Sequence, residues 1–430
     1  MSPRRASSLT PWLIWILGGS FFTYTFFQRT NPSAMVESLM RDFDVNAAAL
    51  GNLSAVYFYA YAAMQIPAGV MFDRWGTRWI LALAALVSAG GAVLFALAPS
   101  LDVAILGRVL VGLGGGMSYL GALALAMIWF PRERYALLVG ISMPFGIVGG
   151  VLGQAPFAAL LQVVGWRDAI LGSAGLALLL AMLFWLSRSA KPPTDAARSA
   201  AVVAGAKRPA LLDSLHRAAR EPQIWVLSLS GAFSVAPMFA FAGLWAVPYL
   251  MQVHGLDRPA AAGAASLMMI GLGIGSILSG WLSNRLRRRK ALFVTGLVVS
   301  LAGWLVVVLV PDLPIAVHCL LYLMIGIAKG TSVLTYIAAQ DHAGAATSGA
   351  GSAIINTFYL GGGAVAQYFI GMLLDLHWAG EIVAGVRIYS PVAYDAALLA
   401  MPASVGIALL LSFAIRESHP GRHPGGSMPL

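Results

Sequence analysis

The chain contains few charged residues and a single cysteine. Of its 430 residues, 10% are charged and 59% are hydrophobic, which lies far outside the range of soluble domains. The one cysteine, Cys319, excludes a disulfide within the chain. The sequence has no G-x-x-x-x-G-K-[ST] phosphate loop, which argues against ATP-driven transport by this chain. It also has no nucleophile–base pair or cluster of metal ligands, so it predicts neither an enzyme nor a metal or cofactor site.

Long apolar runs occupy most of the chain instead. Twelve of them lie between residues 12 and 415, and each is long enough to cross a bilayer as a helix. One long polar stretch, rich in Ala, Pro, Ser and basic residues, separates the sixth run from the seventh and indicates a linker. The sequence therefore predicts an all-α polytopic membrane protein. Its expected parts are an N-terminal six-helix bundle (1–187), a cytoplasmic linker (188–222), a C-terminal six-helix bundle (223–415) and a cytoplasmic tail (416–430).

The net charge of +10 indicates membrane orientation rather than nucleic-acid binding, because Lys and Arg lie in short loops between the apolar runs. With both termini in the cytoplasm, that side carries twenty of the 27 basic residues and the opposite side four. The first apolar run follows Arg4 and Arg5 but has no small-residue cleavage site, so we expect a spanning helix rather than a signal peptide. These features predict a multi-pass protein, typical of a bacterial inner membrane, with both termini inside.

The most specific pattern lies between the second and third apolar runs. Residues 69–78 read G-x-x-x-D-R-x-G-x-R and are expected to form a tight, charged loop between two antiparallel helices. The residues that define the pattern are Gly69, Asp73, Arg74, Gly76 and Arg78. A degenerate copy follows the eighth run at 280–285, with Asn284 in place of the aspartate, as in transporters built from two related halves.

This loop resembles the signature of the major facilitator superfamily. Three further stretches resemble the family and occur in the expected order: R-x-x-x-G-x-G at 108–114, which contains Arg108 and Gly112, a Gly- and Pro-rich fifth run at 144–156, and G-W-R at 165–167. The resemblance covers essentially the whole chain. It implies a monomeric transporter of two pseudo-symmetric six-helix bundles.

The same resemblance implies a role for the charges of the first loop. In the family, the loop aspartate and arginines hold helices together at the cytoplasmic face, which carries over to Asp73, Arg74 and Arg78, with Glu133 or Arg134 as further partners. The alternative is that these charges only anchor the helix ends at the membrane surface.

Three basic residues fall inside apolar runs, where a charge is costly and usually faces a water-filled path. They are Arg29, Arg108 and Lys329. The only acidic candidates to pair with them are Glu37 and Asp395. Cations that lack a protein partner favour an external anion, so we expect a small anionic or zwitterionic organic substrate, such as a carboxylate or an amino acid. Alternatively, Arg108 bonds backbone carbonyls and Lys329 bonds a neighbouring helix.

The first run also resembles the first helix of organic anion symporters and organophosphate exchangers, where an arginine at the position of Arg29 contacts the anion. The seventh run, 223–252, has no Lys or Arg, unlike the exchangers, so a monocarboxylate or zwitterion fits better than a phosphate ester. Polar and aromatic residues on the inner helices are expected to complete the substrate site, although such stripes also serve packing. These residues are Tyr24, Tyr57, Tyr61, Trp245, Tyr336 and Asn356.

The expected mechanism is alternating access around one central site. Symport with protons, for which Glu37 is the candidate coupling residue, and exchange for a counter-anion remain equally open. Two other functions are possible on this fold. One is export of drugs or other hydrophobic compounds, and the other is a non-transporting membrane receptor or scaffold that could dispense with Arg29 and Lys329.

Overall fold

Long helices make up almost all of the structure, a computed structural model that describes residues 9–187, 211–310, 312–343 and 348–418. In the first half the helices are α1 (Thr10–Thr30), α2 (Pro32–Phe43), α3 (Ala47–Trp75), α4 (Thr77–Ala96), α5 (Leu101–Gly115), α6 (Ser118–Trp129), α7 (Arg132–Leu152) and α8 (Ala155–Leu186). In the second half they are α9 (Leu211–Ala219), α10 (Pro222–Ala240), α11 (Ala246–Gln252), α12 (Arg258–Leu286), α13 (Arg289–Leu309), α14 (Ile315–Lys329), α15 (Val333–Ala343), α16 (Ser348–Leu376), α17 (Pro391–Leu398) and α18 (Ala400–Ser412).

Short irregular segments join some of these helices into single membrane passes. A π-helical turn, Phe241–Trp245, links α10 to α11, and a 3₁₀ turn, Gly330–Ser332, links α14 to α15. A two-stranded antiparallel hairpin, β1 (Ile382–Val383) and β2 (Val386–Arg387), connects α16 to α17. In the described residues, ten helical stretches are long and apolar enough to cross a membrane. The helical stretches at 10–43 and 47–75 are not among these ten.

Packing divides the described residues into two compact units. The first contains the residues up to Met35 and those from Val56 to 187, and the second contains Val36–Ala55 and the residues from 211 onward. Residues 36–55, which belong to the predicted N-terminal bundle, are grouped with the second unit by their contacts, and the predicted domain boundaries stay a prediction. Most of the predicted linker, 188–210, and the end of the predicted tail, 419–430, lie outside the described residues.

In the first unit, two glycines with positive φ make the sharp turns. Gly76 (φ 85°) separates α3 from α4, and Gly165 (φ 77°) kinks α8, so that the fifth pass ends before it and the sixth begins after it. Trp166 is then buried against Phe95 at 5.4 Å between ring centroids, and Arg167 donates to the carbonyl of Ala96 at 2.8 Å. The G-W-R stretch thus ties the start of the sixth pass to the end of α4.

The expectation of a loop over residues 69–78 is wrong in its extent. Helix α3 continues through Trp75, and α4 begins at Thr77, so only Gly76 is non-helical. Gly69 lies inside α3, and a Cβ placed on it would meet nothing within 4 Å, so it mediates no close helix contact in the described residues. In the second half the equivalent turn residue is Arg287, which also has a positive φ (52°) but adopts the left-handed helical conformation, whereas Gly76 combines its positive φ with an extended ψ of 134°.

In the second unit, the 36–55 segment is anchored by charged and polar contacts. Asp375, at the end of α16, accepts hydrogen bonds from the backbone N–H groups of Ala47 (3.2 Å) and Ala48 (2.8 Å) and from the Tyr389 hydroxyl (2.7 Å). These N–H groups are the first of α3 and have no partner within that helix, so the carboxylate caps its N-terminus. Gly371 approaches the carbonyl of Ala47 so closely that a Cβ would lie 2.3 Å from it.

Candidate functional site

In the first unit, Arg29 lies near the end of α1 and is 5% exposed. Its guanidinium carbon lies 4.2 Å from the ring centroid of Phe26, 5.0 Å from that of Tyr61 and 5.5 Å from that of Phe58, a set that we call the aromatic cage. The ring of Tyr57 lies beside the cage, 6.0 Å from that of Tyr61 between centroids. Aromatic faces stabilise a cation that has lost its water. The structure therefore brings three of the predicted site residues together: Arg29, Tyr57 and Tyr61.

The position of Tyr57 is fixed by the crossing of α3 and α5. A Cβ on Gly112 would lie 2.4 Å from the Tyr57 carbonyl, so only glycine allows the two backbones to approach this closely. The Tyr57 hydroxyl donates to the carbonyl of Thr25 at 2.9 Å, and the Thr25 and Ser118 hydroxyls are also 2.9 Å apart. The motif glycine thus positions a tyrosine beside the end of α1.

A second polar cluster surrounds Gln28. Its amide nitrogen donates to the Tyr24 hydroxyl and to Ser173, both at 2.9 Å, and Arg108 donates from Nη1 to its backbone carbonyl at 2.9 Å. Arg108 is 1% exposed, and its Nε and Nη2 make no hydrogen bond with the described residues. Its guanidinium also lies over Tyr57, 4.9 Å from the ring centroid. Arg108 thus bonds a backbone carbonyl, which was the alternative interpretation from the sequence. Its Nε and Nη2 groups could still donate to a further partner.

In the second unit, Lys329 is 4% exposed at the end of α14, immediately before the 3₁₀ turn. Its ammonium group donates to the hydroxyl of Ser234 on α10. Among the described residues no carboxylate lies within 4 Å of this group. The neighbouring Gly330 packs so closely on Gly275 that a Cβ would lie 2.1 Å from the Gly275 backbone, which fixes the position of the lysine on the helix.

The remaining predicted residues of the second unit form two separate groups. Tyr336 donates to Asn356 at 3.1 Å, which joins α15 to α16 one to two turns beyond Lys329. Beside this pair the hydroxyls of Thr335 and Tyr359 are 2.5 Å apart. Trp245 is 1% exposed, and its ring N–H donates to the carbonyl of Gln367 at 3.0 Å, so its polar atom is used in packing.

The two acidic residues considered as partners of the buried cations lie elsewhere. Glu37 on α2 forms an ion pair with Arg258 at 2.9 Å, and their side chains are 25% and 21% exposed. Asp395 on α17 is exposed. Among the described residues no group of three His, Cys, Asp or Glu side chains could hold a metal ion.

The charged residues of the first motif are only partly described. Arg78 donates to the carbonyl of Ser187 and lies 5.3 Å from the ring centroid of Trp129, which joins α4 to the ends of α8 and α6. Arg74 is exposed beside Trp75. The side chain of Asp73 lies outside the described part of the structure, so the proposed latch stays a prediction.

Several residues that contribute to the candidate site or to the fold were not predicted from the sequence. Phe26 and Phe58 complete the aromatic cage, and Phe26 precedes Arg29 by three positions, where a helical neighbour is expected. Ser234, the partner of Lys329, carries no local signal because 95 residues separate the two. Asp375 could have been identified from the sequence as a residue with a structural role, since it is an acidic residue at the end of an apolar run.

The sequence model of the Major Facilitator Superfamily matches residues 16–367. The chain belongs to the Major Facilitator Superfamily. A bacterial homolog of the human lysosomal transporter Spinster, solved in an inward-facing and occupied conformation, matches with a TM-score of 0.76 over 95% of this chain and 97% of that chain, at 20% identity. The predicted fold class, twelve transmembrane helices in two bundles, is confirmed, and the chain is a multi-pass membrane protein of this superfamily.

Curated relatives of this superfamily member include transporters and a sensor. A probable sulfoacetate transporter, SauU of Cupriavidus necator, is 24% identical over 282 residues, or 64% of this chain and 65% of that protein. The uncharacterized transporter YybO of Bacillus subtilis is 26% identical over 41% of this chain and 40% of its own length. The match thus spans less than two thirds of these two proteins. The membrane sensor protein UhpC of Salmonella typhimurium is 24% identical over 97% of this chain and 93% of its own length.

Proposed function

We propose that the protein carries a small organic anion, a carboxylate or sulfonate or a zwitterion such as an amino acid, across the membrane by alternating access. The observation that carries the proposal is Lys329, a buried ammonium group whose partner among the described residues is a serine hydroxyl. Burying an ammonium group without a counter-charge costs several kcal/mol, about what a bound anion would offset. Arg29 supports the proposal from the first unit, because its aromatic cage holds a desolvated guanidinium, the group best suited to a planar carboxylate.

The name of one relative supports this substrate class without defining it. Sulfoacetate, named for the Cupriavidus necator relative, combines a carboxylate with a sulfonate. We propose an inner membrane location with both termini in the cytoplasm, which rests on the distribution of Lys and Arg.

A ligand screen on the purified protein tests the proposal. Carboxylates, sulfonates, amino acids and phosphate esters are added, and the apparent melting temperature is recorded for each. A ligand that binds the folded state at 100 times its dissociation constant stabilises it by about 2.7 kcal/mol. We expect stabilisation by at least one anion and not by its neutral amide or ester. If neutral analogues stabilise the protein as well as the anions do, the cations do not select the substrate.

Uptake into proteoliposomes then separates the coupling modes. Under proton symport, collapsing the pH gradient abolishes accumulation of the anion identified in the screen. Under exchange, uptake instead requires anion inside the vesicle and does not respond to the gradient.

A second candidate function is anion sensing without transport. The full-length similarity to a membrane sensor protein favours it, since that match covers more of the chain than the match to the sulfoacetate transporter does. A protein that binds the anion in the screen but mediates neither uptake nor exchange in proteoliposomes would be a sensor rather than a carrier.

A further inference from the structure

An apolar groove of about 590 Å³ lies on the second unit between α10, α16 and α18. The residues that line it include the small residues Gly361, Gly362 and Ala403. A Cβ placed on Gly361 would meet nothing within 4 Å, so this glycine leaves open space in the groove rather than a close helix contact. The volume lies within the usual range of small-molecule sites, about 300 to 1,000 Å³.

The groove offers no free hydrogen-bonding side chain. Its two hydroxyl residues are both used within the protein: Thr357 donates to the carbonyl of Ala353 at 2.9 Å, and Ser404 donates to that of Phe233 at 2.6 Å. The second bond has a structural cause. Pro237 has no N–H, which leaves the carbonyl of Phe233 without its helical partner, and the hydroxyl from α18 satisfies it. An occupant of this groove is therefore apolar along its length.

The groove is continuous with the surface that the membrane-spanning helices present to the bilayer. At its rim are large apolar side chains that are well exposed, among them Phe369 (42%), Val365 (57%) and Ile407 (41%). Water is a poor occupant of a cavity with this lining, because it would find no polar partners. The polar sequence of residues 419–430 does not suit it either.

We propose that the groove is a specific binding site for one acyl chain of a membrane lipid. The chain lies between α10 and α16 and covers the glycines that line the groove, while the lipid headgroup stays at the membrane surface. This site is separate from Arg29 and Lys329 and does not depend on the proposed substrate.

Photolabelling of the full-length protein tests the site. The protein is reconstituted in phosphatidylethanolamine–phosphatidylglycerol vesicles that contain a trace of phospholipid with a diazirine in its acyl chain. After irradiation, the labelled residues are located by mass spectrometry. We expect label concentrated on 357–370 and 400–407. Label spread evenly over all exposed apolar helix surfaces would overturn the proposal.

Matched glycine variants make the test specific. Gly361→Leu fills the groove and should reduce labelling of these segments about tenfold, since it displaces several buried methylene groups. Gly175→Leu is the control, because Gly175 also lies in a spanning helix with nothing within 4 Å of its Cβ, but is exposed on α8 and outside the groove. Equal labelling of Gly361→Leu and wild type would refute the site. If Gly361→Leu does not fold, Ala403→Leu blocks the opposite wall.

A competition arm identifies the kind of occupant. A small hydrophobic cation added to the vesicles should leave the labelling of 357–370 and 400–407 unchanged. If the cation displaces the label from these segments, the groove binds a small molecule, and the lipid assignment is wrong.

Discussion

Replacing Asp375 with alanine should destabilise the protein substantially. The carboxylate caps the first two N–H groups of α3 and accepts from the buried Tyr389 hydroxyl. Loss of a helix cap costs about 1 kcal/mol, and a buried hydroxyl left without an acceptor costs about 1 to 3 kcal/mol. The half-exposed ion pair with Arg387, at 3.6 Å, adds little. We therefore expect a loss of about 2 to 4 kcal/mol.

The assay is thermal unfolding of the purified protein in one detergent and at one scan rate, since unfolding of such proteins is often irreversible. The apparent melting temperature should fall by about 2 to 4 °C, because the entropy of unfolding is large for a chain of 430 residues. Asp395→Ala is the matched control, because Asp395 is exposed and accepts no side-chain hydrogen bond from the described residues, and it should change stability by less than about 0.5 kcal/mol.

A double-mutant cycle isolates the contact with Tyr389. Burial, together with the hydrogen bond to Asp375, raises the pKa of Tyr389, so its hydroxyl stays a donor throughout the accessible pH range. Combining Tyr389→Phe with Asp375→Ala should reveal a coupling of about 0.5 to 3 kcal/mol. A melting temperature of Asp375→Ala within about 1 °C of the wild type, or strictly additive effects, would refute the capping argument.

Three further predictions concern other elements. Arg287→Gly should stabilise the protein by about 1 kcal/mol by relieving the left-handed arginine, and Gly76→Ala should destabilise it by a similar amount, both measured by thermal unfolding. Burial lowers the pKa of His254, which lies beside His318, because the charged imidazole loses water on folding. The stability of the protein should therefore be greatest above pH 6.5 and should decrease as the pH falls from 6.5 towards the lowered pKa of His254. In melting curves, His254→Gln should weaken this pH dependence. Arg108→Met removes a buried cation that makes one hydrogen bond with the described residues and should cost less than about 1 kcal/mol, whereas a loss of 3 kcal/mol or more would show a further structural partner.

The helical architecture was predictable because it follows from local composition. Each apolar run is adjacent in the sequence to the glycine at its end, so Gly76 and Gly165 correctly indicated where membrane passes end. The extent of the first motif was not predictable in this way. Its charges suggested a loop, but helix α3 continues through Arg74 because a single left-handed glycine is sufficient to reverse the chain.

The candidate site was only partly predictable. Arg29 and Lys329 are conspicuous because charge is rare in apolar runs, whereas their surroundings depend on contacts between distant segments. The partner of Lys329 is a serine 95 residues away, and Trp245, expected to bind substrate, uses its ring N–H to join α16. Glu37 was a candidate for coupling, and only the fold pairs it with Arg258. Periodicity identifies the face of a helix but not the helix that it contacts.

The most direct test of the anion-carrier account compares charge-neutral and charge-conserving variants at both buried cations. Uptake and equilibrium binding of an anion that stabilises the wild type are measured for Arg29→Gln, Lys329→Gln, Arg29→Lys and Lys329→Arg. Each neutral variant should bind the anion about 10- to 100-fold more weakly, the value of one charge-assisted hydrogen bond, and should lose uptake, while the charge-conserving variants keep part of both. If both neutral variants bind and transport the anion as well as the wild type does, the buried cations do not bind the substrate, and the account is wrong.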